Sequence, residues 1–291
     1  MEKGMQIPNK IGVFNRYKAK KTTMEYGYYY DTVVTLPFAK DKRHVRVWLP
    51  GSYDFAAPKK HPVMYMSDGQ NLVDLYLTAY GDWHLDRVIR TLGQEGYVEP
   101  ILVGIDCPKP PRQRSNELNP PYPITKKFRG QETPNHPIAN QFIDYIVGTL
   151  KPLVDSLFST DSRKEATGIG GSSMGGIMSF YGFLAYPNDF GFAMPFSPAL
   201  FFYKKKEIRA MFDEHNPLPS THARIYLAVG GRKFEKVFVR TTFYARDLLI
   251  KRGFDEEHLG FHFERDEIHH EEAWYKYSFD AFRFWLKPLS E

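Results

Sequence analysis

Apolar and polar positions along this chain fall into two alternating registers. Short runs that alternate with period two, or are apolar throughout, predict strands over Tyr28 to Leu36, His44 to Leu49, Val63 to Met66, Pro100 to Ile105, Ala166 to Ile169, Phe192 to Pro195, Arg224 to Val229 and Phe261 to Phe263. Stretches in which apolar residues recur every three or four positions predict helices over Trp83 to Leu92, Ile138 to Leu157, Gly175 to Ala185, Val237 to Arg252 and Glu272 to Leu286. The first two strands alternate apolar with polar residues and are joined by the polar Ala39-Lys40-Asp41-Lys42, which predicts an antiparallel start. The later strands are short and apolar, as strands covered on both faces in a parallel sheet are. Strands alternating with helices define the α/β class, here with a mostly parallel eight-stranded sheet and helices on both faces.

Composition narrows this picture. With 291 residues and 42% hydrophobic content the chain can build one large core, and the expected organisation is a single domain over 1–291. Two stretches stand apart as lid or specificity loops: 107–137, crowded with proline and with Lys109, Arg112, Arg114, Lys126, Lys127 and Arg129, and 202–220, where Lys204, Lys205 and Lys206 precede a polar helix. Both follow the C-terminal end of a strand, where doubly wound sheets put their ligands, although a charged run also suits a solvated surface. The formal charge of +5 is mild and spread along the chain, which argues against a nucleic-acid partner. No apolar stretch reaches the roughly 18 residues of a membrane span, and MEKGMQIPNK has no apolar signal-peptide core. The expectation is a soluble, cytoplasmic protein without a membrane partner, a leader removed earlier being invisible in this sequence. Homo-oligomerisation is left open. Cys107 is the single cysteine, which excludes an intrachain disulfide and a cysteine metal cluster, and no cofactor is expected. Aromatic content is 16%, partly core and partly available to line an aromatic-tolerant pocket.

The most informative local pattern is Gly170-Gly171-Ser172-Ser173-Met174-Gly175-Gly176, which sets Ser173 in G-x-S-x-G between an apolar strand and a helix. A nucleophilic hydroxyl has to be held on such a turn to stand clear of the sheet, and small neighbours let strand and helix backbones approach. The same five residues in another context would be a plain glycine-rich turn; the strand, turn and helix order favours Ser173 as nucleophile.

A serine hydroxyl needs a neutral imidazole to take its proton. The pair His269-His270 follows the last strand and precedes the final helix, in the chain order serine, acid, histidine of α/β-hydrolases. Reading the pair as a metal site is disfavoured, because chain neighbours point apart and no i, i+4 histidine pair is present. The carboxylate that orients the imidazole belongs in the loop after the seventh strand, Val229-Gly230-Gly231-Arg232-Lys233-Phe234-Glu235-Lys236, where Glu235 is the only acid. Glu235 could instead simply open the next helix, and Asp247 and Asp255 are the alternatives. Oxyanion donors are expected from the Met174 N–H and from the loop Ser67-Asp68-Gly69-Gln70-Asn71, with Gln70 offered first and Asn71 not separable from it.

Several blocks, in order, resemble the "Putative esterase" family of α/β-hydrolases, which includes esterase D, feruloyl and acetyl-xylan esterases, enterochelin esterase-like proteins and mycolyltransferases. They are Val63 to Leu72, Trp83, Arg114 to Pro120, Leu150 to Asp155, Gly171 to Gly176, Phe196 to Leu200 and His269 to Trp274, so the resemblance runs from about residue 43 to the C-terminus. It implies the α/β-hydrolase fold, Ser173 as nucleophile and His269, five residues before Trp274, as base. It also suggests substrate-binding roles for Asp68, Asn71, Trp83, Arg114 and Glu117. Two departures stand out. Ser67 occupies a position usually held by His, and the family's carboxylate usually lies about three residues after the loop glycine, where this chain has Lys233, so Glu235 requires a small insertion.

The expected activity is a serine carboxylesterase acting through an acyl-enzyme on small-molecule or carbohydrate esters. The resemblance implies feruloyl or acetyl groups, and the aromatic content leans toward an aromatic part. The alternatives are a siderophore esterase whose basic loop holds an anionic catecholate complex, an acyltransferase on the same architecture, and a non-catalytic binding protein.

Overall fold

In the computed structural model, which describes residues 7–56, 59–78, 80–124, 132–219 and 223–290, the strands form one ten-stranded sheet in the order β1-β2-β3-β4-β6-β5-β7-β8-β9-β10. The first four are β1 (Lys10–Ile11), β2 (Phe14–Arg16), β3 (Tyr28–Leu36) and β4 (Asp41–Leu49), an antiparallel series that joins the rest by antiparallel pairing of β4 with β6. The remaining strands, β5 (Val63–Ser67), β6 (Ile101–Ile105), β7 (Thr167–Ser172), β8 (Phe192–Phe196), β9 (Arg224–Gly230) and β10 (Leu259–Glu264), are mutually parallel. The sheet thus has ten strands where hydrophobic periodicity predicts eight. The added β1 and β2 are too short to carry a periodic signal, and they exist because β3 supplies an open edge for β2 to pair with.

Alternation on the strands splits the core in two. Val63, Tyr65, Ile101, Val103, Ile169, Ile225 and Leu227 face one side, under α2 (Pro111–Leu118), α3 (Ala139–Tyr145), α4 (Lys151–Leu157), α5 (Met174–Ala185), α6 (Lys205–His215) and α7 (Lys236–Lys251). Met64, Met66, Leu102, Phe192, Met194 and Tyr226 face the other, under α1 (Leu85–Gln94) and α8 (Glu271–Ser290). Period two on each strand therefore feeds two layers of helices, the physical content of the α/β assignment.

Two expectations are corrected by the structure. The single helix over 138–157 is α3 and α4 joined by a π-helical stretch, Ile146–Leu150, in which Lys151 donates to the Ile146 carbonyl. Pro152 has no N–H to donate to the carbonyl four residues back, so the ladder widens by one residue there. Within the stretch 202–220, expected as a lid or specificity loop, no described residue lines the cavity described below, and α6 buries Ile208, Met211 and Phe212 in the core. Of the stretch 107–137, Lys126, Lys127 and Arg129 lie outside the described residues. Among the described residues no helix is long and apolar enough to cross a membrane.

The order of the parallel strands reverses at β5, which lies between β6 and β7. The loops leaving the C-terminal ends of β5, β7, β9 and β10 meet around that point, the place where open α/β sheets form their crevice.

Candidate active site

Ser173 is the single residue between β7 and α5, with φ 57° and ψ −114°. A side chain pays for such a backbone in steric strain, so the surroundings must hold it there. They do so by three bonds: the Ser173 N–H donates to the Phe196 carbonyl at 3.0 Å, and the Ser173 carbonyl accepts from Ala199 at 2.9 Å and Ile177 at 3.1 Å. The glycines of the motif are what permit this approach. A Cβ on Gly171 would stand 2.8 Å from the Gly175 carbonyl carbon and from Ser67 Oγ, and one on Gly176 only 3.0 Å from the Cα of Pro198. Residue 67 thus lies pressed against the elbow, and its hydroxyl has no hydrogen-bond partner among the described residues.

His269 lies between β10 and α8. Its ring stacks on Phe238, with centroids 4.5 Å apart and planes 19° from parallel, and meets Trp274 edge-on at 5.0 Å. Glu235 Oε2 is 2.5 Å from His269 Nδ1. The other carboxylate oxygen accepts from the Gly230 N–H at 3.0 Å and from the Ser197 hydroxyl, which in turn accepts from the Trp274 indole N–H at 3.1 Å. Glu235 is 1% exposed, and every lone-pair direction it needs is filled by this set. The insertion anticipated from Lys233 takes the form of a short 3-10 turn, Lys233–Glu235, entered with Lys233 at φ 53°, which carries the carboxylate back to the end of β9. Ser197 and Phe238 were not singled out for this role from sequence. Ser197 lies in the Phe196 to Leu200 block, and its own positive φ of 43° marks the turn that aims it.

Ser173 and His269 line one cavity of about 730 Å³, together with Met174, Asp68, Gln70, Asn71 and Arg114. Met174 opens α5, and the first N–H groups of a helix have no partner within it. In the opposite loop the Asn71 N–H already donates to the Asp68 carbonyl at 2.9 Å, which separates it from Gln70 as a candidate donor. The Gln70 side chain is fixed by accepting from the Cys107 N–H at 3.0 Å and donating to its sulfur at 3.3 Å. Cys107 reaches the same cavity, but burial pushes its thiol up to about 11, so it is protonated near neutrality and a poor rival nucleophile.

The residues named for substrate binding divide. Asp68, Asn71 and Arg114 line the cavity, and Arg114 grips Asp68 through two bonds of 2.7 Å. Trp83 and Glu117 are not among the lining residues. Trp83 is buried, stacked on Phe196 at 5.5 Å, and its backbone N–H donates to the Asn71 carbonyl at 2.8 Å, so it supports the loop from behind. Glu117 is 1% exposed and meets Arg43 of β4 through two bonds of 2.9 and 3.0 Å. Its expected effect is therefore on stability. Glu117→Ala leaves the Arg43 guanidinium buried with much of its charge uncompensated and is expected to cost about 3–5 kcal/mol, read by denaturant unfolding; a raised KM with unchanged stability would return Glu117 to substrate binding.

A strained serine at a strand-to-helix elbow and a carboxylate-held histidine, on one cavity at the switch point of a parallel sheet, define an α/β-hydrolase. Residues 38–281 match the family described as "Putative esterase", and the chain belongs to that family. Ester hydrolysis is the class of chemistry that goes with it. Among curated relatives, the uncharacterized protein YbbA of Bacillus subtilis (strain 168) is 23% identical over 254 residues, covering 84% of this chain and 92% of its own. Among solved structures, a ferulic acid esterase superposes with a TM-score of 0.64 at 14% identity, over 90% of this chain and 99% of its own. The siderophore hydrolase EstB of Aspergillus nidulans gives 0.67 at 17% identity, over 89% and 96%. At these identities the two structures speak for the fold.

Proposed function

We propose that this protein is a serine carboxylesterase in which Ser173 is the nucleophile, His269 the general base and then acid, and Glu235 the residue that orients the imidazole. The observation that carries this reading is the 2.5 Å contact of Glu235 with His269 Nδ1, on a histidine that shares a cavity with the elbow serine. With Nδ1 held by the carboxylate, the proton resides there and Nε2 keeps its lone pair for the Ser173 hydroxyl. The alkoxide attacks the ester carbonyl, and the Met174 and Gln70 N–H groups hold the oxygen that becomes negative. The imidazolium gives its proton to the departing alcohol, and water activated at the same nitrogen then cleaves the acyl-enzyme. The His269 side chain is 18% exposed, so water reaches it, which favours hydrolysis over acyl transfer to another alcohol.

The charge of the cavity wall favours a neutral ester, acetyl or feruloyl on a carbohydrate alcohol, over an anionic catecholate complex. Arg114 is spent on Asp68, and the cation of Lys109 shares the lining with the carboxylate of Glu132. The carboxylate of Glu271 lies on the same wall. Tyr80, 79% exposed at the cavity, offers a ring face to a sugar or an aromatic acyl group.

The test is direct. A fluorophosphonate probe is expected to label Ser173 alone, and kcat/KM for acetyl and feruloyl sugar esters is expected to exceed that for a cyclic catecholate triester by about tenfold or more, the effect of roughly 1.4 kcal/mol of unfavourable charge contact. Labelling elsewhere would remove the nucleophile assignment, and a preference for the catecholate would transfer the protein to siderophore hydrolysis.

A further inference from the structure

One charged group on the cavity wall has no part in the chemistry above. Glu271 is the first residue of α8, two positions after His269, and only 7% exposed. Gly81 packs against it: a Cβ on that glycine would lie 3.4 Å from Glu271 Oε2. Four buried carboxylates are met by side-chain or backbone donors, Glu117 by Arg43, Asp68 by Arg114, Asp74 by Thr22 and Thr23, and Glu235 by the set already described. For Glu271, no side chain among the described residues donates a hydrogen bond to the carboxylate, and its own backbone N–H and the neighbouring His270 and His269 only partly offset its burial. Burial accordingly pushes its carboxyl above the ordinary glutamate range. The carboxylate opens on the cavity, so a donor held there takes the place of water as its partner.

The geometry points to Glu271 as a specificity-determining residue that accepts a hydrogen bond from a free hydroxyl on the alcohol part of the substrate, so that the cavity selects esters of polyols and sugars over esters of simple alcohols. This rests on the esterase reading for its kinetic consequence but not for the binding itself. A hydroxyl suits the site because the carboxylate can accept from it, while Lys109 already brings a cation to the cavity lining. A neutral donor adds a charge-assisted bond without adding a further cation.

Two measurements separate this from the esterase assignment. In the first, binding of methyl β-xyloside is followed by calorimetry on Ser173→Ala protein, where no turnover is involved. Adding Glu271→Ala is expected to weaken binding by roughly tenfold or more, and Glu271→Gln, which keeps an acceptor and the shape, by less. Equal affinity in all three proteins would overturn the proposal whatever Ser173 does. In the second, kcat/KM for 1-acetylglycerol is divided by that for propyl acetate, its counterpart without hydroxyls. The ratio is expected to fall toward one in Glu271→Ala and to survive in part in Glu271→Gln. A ratio equal in wild type and Glu271→Ala would overturn the hydroxyl assignment, and so would a larger Glu271-dependent gain for 3-aminopropyl acetate, which would make the site one for ammonium groups. Failure of every ester to turn over, with Ser173 unlabelled by fluorophosphonate, would remove the esterase reading and leave the calorimetric result to decide the role of Glu271.

Discussion

Ser173→Ala is expected to lower kcat for p-nitrophenyl acetate by about 10⁶, the loss seen when the nucleophile of a serine triad is removed. The fold should be unaffected for a specific reason. What holds the elbow together is the backbone of residue 173, whose N–H and carbonyl bond to Phe196, Ala199 and Ile177, and alanine keeps all three bonds. Alanine also bears the same steric strain as serine at φ 57°, so the substitution neither relieves nor adds to it. Circular dichroism and the unfolding midpoint should therefore match wild type while fluorophosphonate labelling disappears. A residual rate above that in water is still expected, because the Met174 and Gln70 amides and the His269 base remain to assist a direct attack by water. A kcat within tenfold of wild type would mean that another group attacks the ester.

The parts of this site that were legible in the sequence are those in which chemistry is written into local backbone geometry. Gly171, Gly175 and Gly176 around Ser173 announce a close approach of strand and helix, and the approach is there: each glycine faces a neighbour that leaves no room for a Cβ. His269 was legible through chain order, since it stands between the last strand and the final helix, after both the elbow serine and the acid loop. Glu235 was reached by elimination, because a turn entered through a left-handed Lys233 cannot be read from residue spacing. Glu117 and Trp83 went to the wrong place for a different reason. Both stand in segments that do border the cavity, and which way each side chain points is decided by a distant partner, Arg43 on β4 for the one and Phe196 on β8 for the other. The two short strands β1 and β2 fall in the same class, since two or three residues become a strand only through the edge they meet.

Glu235→Gln is expected to lower kcat by about 10⁴ while leaving KM and the fold close to wild type, and the reason lies in where the hydrogens must go. The oxygen bonded to the Gly230 N–H and the Ser197 hydroxyl faces two donors, so in glutamine the amide oxygen takes that place. The NH₂ group is then forced onto the side of His269 Nδ1, where it is a donor. Nδ1 must now accept, the ring proton moves to Nε2, and the nitrogen that should receive the serine proton no longer has a lone pair free. The imidazole stays in position, held by Phe238 and Trp274, but in the wrong tautomer. Glu235→Ala is expected to be as slow and also less stable, since it leaves the Gly230 N–H and the Ser197 hydroxyl buried without their acceptor, at about 1–3 kcal/mol each. The two variants together distinguish orientation from packing: slow turnover with an unchanged unfolding midpoint in Glu235→Gln identifies the tautomer, whereas a rate within tenfold of wild type would move the acid role to another carboxylate.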